Sequence, residues 1–147
     1  MKDNAKQVAI ELETSIDDNG EMEYNTVRQT GQFYQKETMD VLTYTETLDD
    51  GSNVSSLITI YEDRVSIKRK GPVAMHQQFR PHRSTENVYQ HPHGTIHMET
   101  YTKAIDYRRP AAEQAGLLTI AYTVKLNGQD ERNHQLTLNV RDKEDSQ

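Results

Sequence analysis

From about residue 7 to residue 141, apolar side chains return at every second position, in short runs broken by Asp, Asn and Gly. The last pair of runs is the clearest. Leu118, Ile120, Tyr122, Val124 and Leu126 alternate with Thr119, Ala121, Thr123 and Lys125, and after Asn127-Gly128 come Leu136, Leu138 and Val140. A period of two places alternate residues on opposite faces of an extended strand, so each run describes a strand with one buried face. Repeated short strands without a βαβ rhythm predict an all-β fold: an antiparallel up-and-down β-barrel of eight to ten strands.

The same pattern locates the elements. Val8, Ile10 and Leu12 open a strand that ends at the Asp17-Asp18-Asn19-Gly20 turn, whose residues favour tight reversal. Met22, Tyr24 and Thr26 begin a second, bent at Gly31, because an interior Gly marks a bulge or barrel corner. Phe33-Tyr34 and Met39 to Thr47 read as two further strands; Val54 to Ile60, Val65 to Arg69 and Val73 to Phe79 follow, the last stopped by Pro81. A strand near Asn87 to Gln90 leads through His91-Pro92-His93-Gly94 into Ile96 and Met98, after which the apolar phase shifts to Tyr101, Ile105 and Tyr107. That slip predicts a β-bulge near Glu99–Tyr101. Pro110 to Gly116 reads as one or two helical turns and is the only helical candidate, so at most one short helix is expected, near 110–115. A two-residue Asn127-Gly128 turn would set Leu136, Leu138 and Val140 on the face opposite to Leu118 and Ile120, because a one-residue slip inverts every side chain. The final hairpin is therefore expected to have a three- or five-residue loop, or a bulge, that brings Ile120 opposite Leu136 or Leu138.

Composition changes this picture in three ways. The apolar share is 33%, below the roughly 45% or more usual for globular domains, and the eight Tyr outnumber the two Phe with no Trp. Buried tyrosines need hydroxyl partners, so the interior is expected to be partly polar. No Cys is present, which excludes disulfides, thiolate nucleophiles and cysteine metal sites. The net charge of −6 hides a division: residues 1–63 carry four basic and fourteen acidic side chains, residues 64–109 nine basic and three acidic. No carboxylate lies between Arg64 and Arg83. The first thirty residues hold no apolar stretch of signal-peptide type and no run approaches membrane-spanning length. A single cytoplasmic domain over 1–147, ordered from about 7 to 141 and without membrane attachment, is the expectation.

Three constellations carry possible chemistry. His91, His93 and His97 share odd numbers, and imidazoles on one strand face can bind zinc, copper or nickel. Pro92 and Gly94 make His91–Gly94 a turn, however, which takes His97 out of phase, so exposed turn histidines are the preferred reading and no metal is assigned. Arg64, Lys68, Arg69, Lys70, Arg80 and Arg83 form a basic 64–83 stretch. It is the alternative functional surface, for nucleic acid or an acidic protein, although Phe79 is its one aromatic and base recognition uses stacking rings. Finally, Arg28, Arg69, Gln77 and His134 fall in phase with apolar neighbours and, with Tyr24, Tyr44 and Tyr122, are candidates to line a polar cavity. An inward guanidinium must meet a carboxylate, carbonyls or an anionic ligand. Catalytic signatures are missing: there is no Gly-x-Ser-x-Gly elbow, phosphate-cradling Gly-rich loop or His-Glu-x-x-His. An enzyme using His97 or His134 as base ranks third.

Several segments together resemble a known family. Thr30-Gly31, the run Arg69-Lys70-Gly71-Pro72-Val73-Ala74-Met75-His76-Gln77-Gln78-Phe79, Pro92-His93-Gly94-Thr95-Ile96 and Ile120-Ala121-Tyr122 are similar in order and spacing to the YwiB-like family of small bacterial proteins of unknown function, from about Val8 to Val140. The resemblance implies a lipocalin-like, calycin-type barrel and carries no established activity, cofactor or catalytic residue. The family's Thr-Pro-Tyr-like turn before Gly94 is replaced here, so His91 and His93 depart from the pattern, whereas the Arg-x-Gly at Arg69–Gly71 matches it. The resulting expectation is a non-catalytic barrel without a cofactor. It binds a small polar or anionic ligand in its interior or mouth through Arg28, Arg69, Gln77, Tyr122 and His134. Oligomeric state is left open.

Overall fold

A computed structural model describes residues 5–72, 74–91 and 93–143. Ten strands follow one another: β1 (Ala5–Asp18), β2 (Glu21–Gln35), β3 (Met39–Thr47), β4 (Asn53–Tyr61), β5 (Val65–Lys70), β6 (Met75–Phe79), β7 (Ser84–His91), β8 (Gly94–Arg108), β9 (Gly116–Leu126) and β10 (Arg132–Asp142). All belong to one antiparallel sheet in which sequence neighbours pair and β1 pairs with β10. The sheet thus curls into a nearly closed up-and-down barrel. The ring lacks a ladder between β6 and β7, where side chains bridge instead: the Thr85 hydroxyl donates to the Gln78 carbonyl at 2.6 Å, and the Gln77 amide donates to Thr100 Oγ1 at 2.9 Å.

The alternation seen in the chain is the inside–outside alternation of this wall. Ile10 faces Val140, Leu12 faces Leu138, and Ile120 faces Leu136 across their ladders. Leu42, Ile58, Val65, Phe79, Leu118, Ile120 and Leu138 fill the lower and middle barrel, fully or almost fully buried. Burying a side chain of this size contributes roughly 1.5–3 kcal/mol, so this hydrocarbon column is the main cohesive element.

The last hairpin has the five-residue loop 127–131 that the register arithmetic allowed, with Ile120 opposite Leu136. Its physical reason lies on the far side of β9. Asn127 and Gly128 both have positive φ and close a tight turn, Gln129 N–H to Leu126 O at 2.9 Å. Asn127 is also held to β8 by its own N–H and by its side chain, which accepts from His97 N–H. The turn therefore extends the β8 ladder and cannot serve as a two-residue link to β10. At the first hairpin no such neighbour intervenes: Asn19-Gly20, both at positive φ, join Asp18 directly to Glu21, the twist-matched two-residue turn.

Three expectations need correction. Phe33-Tyr34 is no separate strand but the end of β2, whose pairing with β1 runs unbroken through Gly31. Gly31 marks a close approach: a Cβ there would lie 2.5 Å from the Thr43 carbonyl oxygen, where β3 joins β2. The bulge of β8 falls between Thr102 and Ala104, not at Glu99–Tyr101, because Thr100 and Thr102 carry the inward phase and are completely buried. Among the described residues there is no α-helix. Ala111 and Gln114 instead exchange backbone hydrogen bonds at 3.0 and 3.1 Å, because the β8–β9 ladder continues to Arg108–Leu117 and residues 109–116 must turn back on themselves.

One end of the barrel carries a buried polar cluster, beside a cleft of about 470 Å³ that Asp40, Tyr107 and Arg109 help to line. Asp40 is 2% exposed, and Arg109 grips it through two bonds, Nε at 3.1 Å and Nη2 at 2.7 Å, while Tyr107 donates its hydroxyl at 2.6 Å. Burial, reinforced by the bond to Asp40, pushes the Tyr107 hydroxyl pKa upward, so the ring stays a donor. Hydrogen bonds to a charged group contribute about 1.5–3 kcal/mol. Tyr107→Phe is expected to lower unfolding free energy by about that amount in urea denaturation. Gly31→Ala, which forces backbone apart at the β2–β3 junction, is expected to cost about 1–3 kcal/mol in the same measurement.

Candidate functional site

The opposite end is built from the finish of β1, β3, β5, β7 and β9 and the start of their partners. Here the hydrocarbon filling stops short of the rim and leaves a cleft of about 450 Å³. Ile16, Met75, Ile96, Met98, Val124 and Leu126 supply its apolar walls, with Gln77, Tyr122 and His134 among them and Gln129, Asp130 and Arg132 at the lip. Binding sites for small molecules typically have roughly 300–1,000 Å³ of volume, mostly apolar walls and a few placed polar groups.

Inward phase positions each polar member. Tyr122 faces His134 across the β9–β10 ladder, and their rings stack at 5.1 Å between centroids. Phe79, completely buried, meets Tyr122 edge-on at 4.8 Å from the core side, so Tyr122 forms the boundary between packed core and cleft. Burial pushes the Tyr122 hydroxyl up to about 12. Burial, with the Arg132 charge adding to it, pushes the His134 imidazole down to about 4. Both groups are neutral at pH 7. Gln77 is anchored by its bond to Thr100.

Three of the five ligand-binding candidates, Gln77, Tyr122 and His134, thus meet in one cleft. Arg28 does not. It lies on the outer wall opposite Glu11, with its side chain 74% exposed and its Nε donating to that carboxylate at 2.7 Å. The apolar phase assigned to β2 from Met22, Tyr24 and Thr26 is the outward one; Val27, Gly31 and Phe33 carry the inward phase. The signal was available. A two-residue turn at Asn19-Gly20 sets Leu12 opposite Val27 and Glu11 opposite Arg28, and the inward position of Leu12 then decides the rest. Tyr24, also on the outer face, leaves the candidate lining for the same reason. Arg69 does take the inward phase, between Ser56 and Met75 in register. Its guanidinium turns to Glu46 at 3.4 Å, beside Tyr44, and it is not among the cleft walls. The apolar walls themselves were visible as strand positions but not as a site, because nothing local distinguishes a core residue from a rim residue.

The other constellations are dispersed. The side chain of His91 lies outside the described residues; His93 and His97 are exposed. No group of three or more metal-ligating side chains is gathered among the described residues. Within the basic stretch, Arg64 sits 3.8 Å over the Tyr61 ring and bonds Asp63, Arg69 turns inward, and Lys68 and Lys70 lie on the outer face with His76, which bonds Ser66. No helix of the described residues is long and apolar enough to cross a membrane.

A ten-stranded antiparallel barrel with a mainly apolar cleft at one end and a buried carboxylate cluster at the other is the class these features define, and residues 10–138 match the family described as a domain of unknown function, DUF1934. The chain belongs to that family. Among its relatives, the uncharacterized beta-barrel protein YwiB of Bacillus subtilis (strain 168) is 30% identical over 131 residues, covering 89% of this chain and 90% of YwiB. The crystal structure of the ywiB protein from Bacillus subtilis superposes with a TM-score of 0.79 at 28% identity, covering 94% of this chain and 92% of that one.

The depressed His134 pKa gives a signed expectation. The unfolded imidazole, near 6.5, takes up a proton before the folded one does. Stability contributed by keeping this ring neutral is therefore present above about pH 6.5 and declines as pH falls toward about 4. His134→Gln should flatten that part of the stability profile, and NMR titration of the wild-type ring should show no protonation between pH 7 and 5.

Proposed function

We propose that this chain is a non-catalytic binding barrel whose open mouth takes a small molecule with an apolar body. The observation that carries this reading is the 450 Å³ cleft, where six apolar side chains surround a short polar set of Gln77, Tyr122 and His134. The calycin-type container suggested by the sequence resemblance agrees with it.

The preferred ligand differs from the polar or anionic one expected from Arg28 and Arg69. Arg28 is outside, Arg69 is tied to Glu46, and Arg132 at the lip is paired with Asp18 at 3.5 Å, while Asp130 shares that lip. An anion would meet carboxylates as well as occupied cations, and it would find a neutral imidazole. An uncharged or weakly polar molecule suits these walls better, taking its energy from desolvation at roughly 25 cal/mol per Å² of apolar surface. Gln77, Tyr122 and His134 then orient its polar atoms. The basic 64–83 surface carries less support as a nucleic-acid face, since its cations are divided between the inner and outer walls and the ring beside Lys68, His76, is tied to Ser66.

The uncharged fluorophore N-phenyl-1-naphthylamine tests this. Saturable one-to-one binding with enhanced fluorescence is expected. Leu126→Arg, a charge introduced at the cleft wall, should weaken it by roughly ten-fold, or about 1.4 kcal/mol, while Lys68→Glu on the outer face leaves it unchanged. Absence of saturable binding, or loss on Lys68→Glu with none on Leu126→Arg, would overturn the reading.

A further inference from the structure

The barrel wall has a long gap in its pairing. Strand β2 is bound to β1 along its whole length, from Ala5–Tyr34 to Asp18–Glu21, yet β3 reaches it only at Gln32–Gln35. Residues 21–30 therefore present one backbone edge to solvent, and the side chains of 21–26 are all exposed. An unpaired edge of this length is a template for another strand. Chains normally blunt such edges with Lys, Pro or a bulge. This segment, Glu21-Met22-Glu23-Tyr24-Asn25-Thr26-Val27-Arg28-Gln29-Thr30, has no Lys and no Pro, and its register with β1 is unbroken. Met22 at 46% and Tyr24 at 68% are the most exposed large apolar side chains among the described residues, and both stand on the outer face of this edge.

We propose that residues 22–30 of β2 pair with the same residues of a second copy of this chain, antiparallel, about a two-fold axis at Thr26. Charge and aromatic pairing favour this register over its neighbours. An antiparallel two-fold pair keeps outer faces together only when paired numbers sum to an even value, since alternate side chains point to opposite faces. Centred on Glu23, the pairing sets Glu23 against its own copy. Centred on Asn25, it sets Met22 against Arg28. Centred on Thr26, it places Arg28 opposite Tyr24 twice over, a cation against a ring face, and gives Glu23 the amide of Gln29. Glu21 and Glu23 are the barrel-facing charges on the edge, a device that usually discourages pairing; in this register Glu23 meets Gln29 and Glu21 falls opposite Gly31, so neither meets a like charge. Arg28 remains bonded to Glu11, so each ring joins an existing ion pair. The two barrels then share one continuous sheet, joined at the end where Glu23 lies opposite the cleft residue Ile16.

The chain has no Cys, so a single introduced thiol reports the register. Opposed residues across an antiparallel pair have Cα atoms about 4.5–5.5 Å apart, within disulfide reach. Thr26→Cys is expected to form a covalent dimer under mild oxidation roughly ten-fold faster or more than Glu13→Cys, whose thiol stands one strand further from the axis. Sedimentation of the unaltered chain should show a dimer, and Thr26→Lys, which opposes two ammonium groups at an exposed position, should shift it to monomer with an unchanged melting temperature. A monomer at all concentrations overturns the proposal, as does a dimer in which Cys at 26 and Cys at 13 couple equally or Cys at 26 fails to couple.

Discussion

The pairing of β1 with β10 is the interaction on which the rest of this structure depends. It joins the two ends of the chain through ten registered pairs, Val8–Asp142 to Asp17–Asn133, and so converts a meander into a wall that curves round on itself. Because a strand's side chains alternate strictly, this one ladder also fixes which residues face inward on two of the ten strands: Ile10 with Val140, Leu12 with Leu138, Ile16 with His134. The hydrocarbon column and the position of His134 in the mouth both follow from it. The connection is also the most distant in sequence, and long-range pairing of this kind is paid for in loop entropy before it is rewarded in contacts.

The two ends of the barrel then diverge by chemistry, not by topology. At one, a buried carboxylate draws in Arg109 and Tyr107, and three hydrogen bonds tie β3 to the end of β8 beside a cleft of about 470 Å³. At the other, Tyr122 and Phe79 cap the packed column, and above them the inward residues are too small or too far apart to fill the space. The result is a barrel with a buried carboxylate cluster at one end and, at the other, a mainly apolar cleft whose lip carries Asp130 and Arg132. A barrel of eight or so strands has room for side chains or for one small ligand; here Leu42, Ile58, Leu118, Ile120 and Leu138 fill the middle.

The strand pattern was legible because period-two alternation is a local property, and the register of the last hairpin was legible because Ile120 and Leu136 must share a face. What escaped the sequence was set by distant neighbours. The helix expected at 110–115 gave way to a tight turn because β8 and β9 pair right up to it, and Gly116 packs where a Cβ would meet the Pro110 ring at 2.8 Å. Met22 and Tyr24 misled the phase of β2 because alternation says nothing about which face is inner when a strand runs beyond the barrel. Arg28 was misplaced for that reason, while Arg69, on a strand whose Val65 and Ile67 are buried, was placed on the correct face. The Asp40 cluster left no trace in the sequence, since its three members are spread over some seventy residues.

The claim that the mouth, and no other surface, is the place of binding can be tested by methyl-labelled methionine NMR during titration with N-phenyl-1-naphthylamine. Met75 and Met98 line the cleft, Met39 lines the cleft at the opposite end and Met22 stands on the outer wall. The account predicts intermolecular contacts and shift changes at Met75 and Met98, with Met39 and Met22 silent. Changes confined to Met39 or Met22, with Met75 and Met98 unmoved, would contradict it.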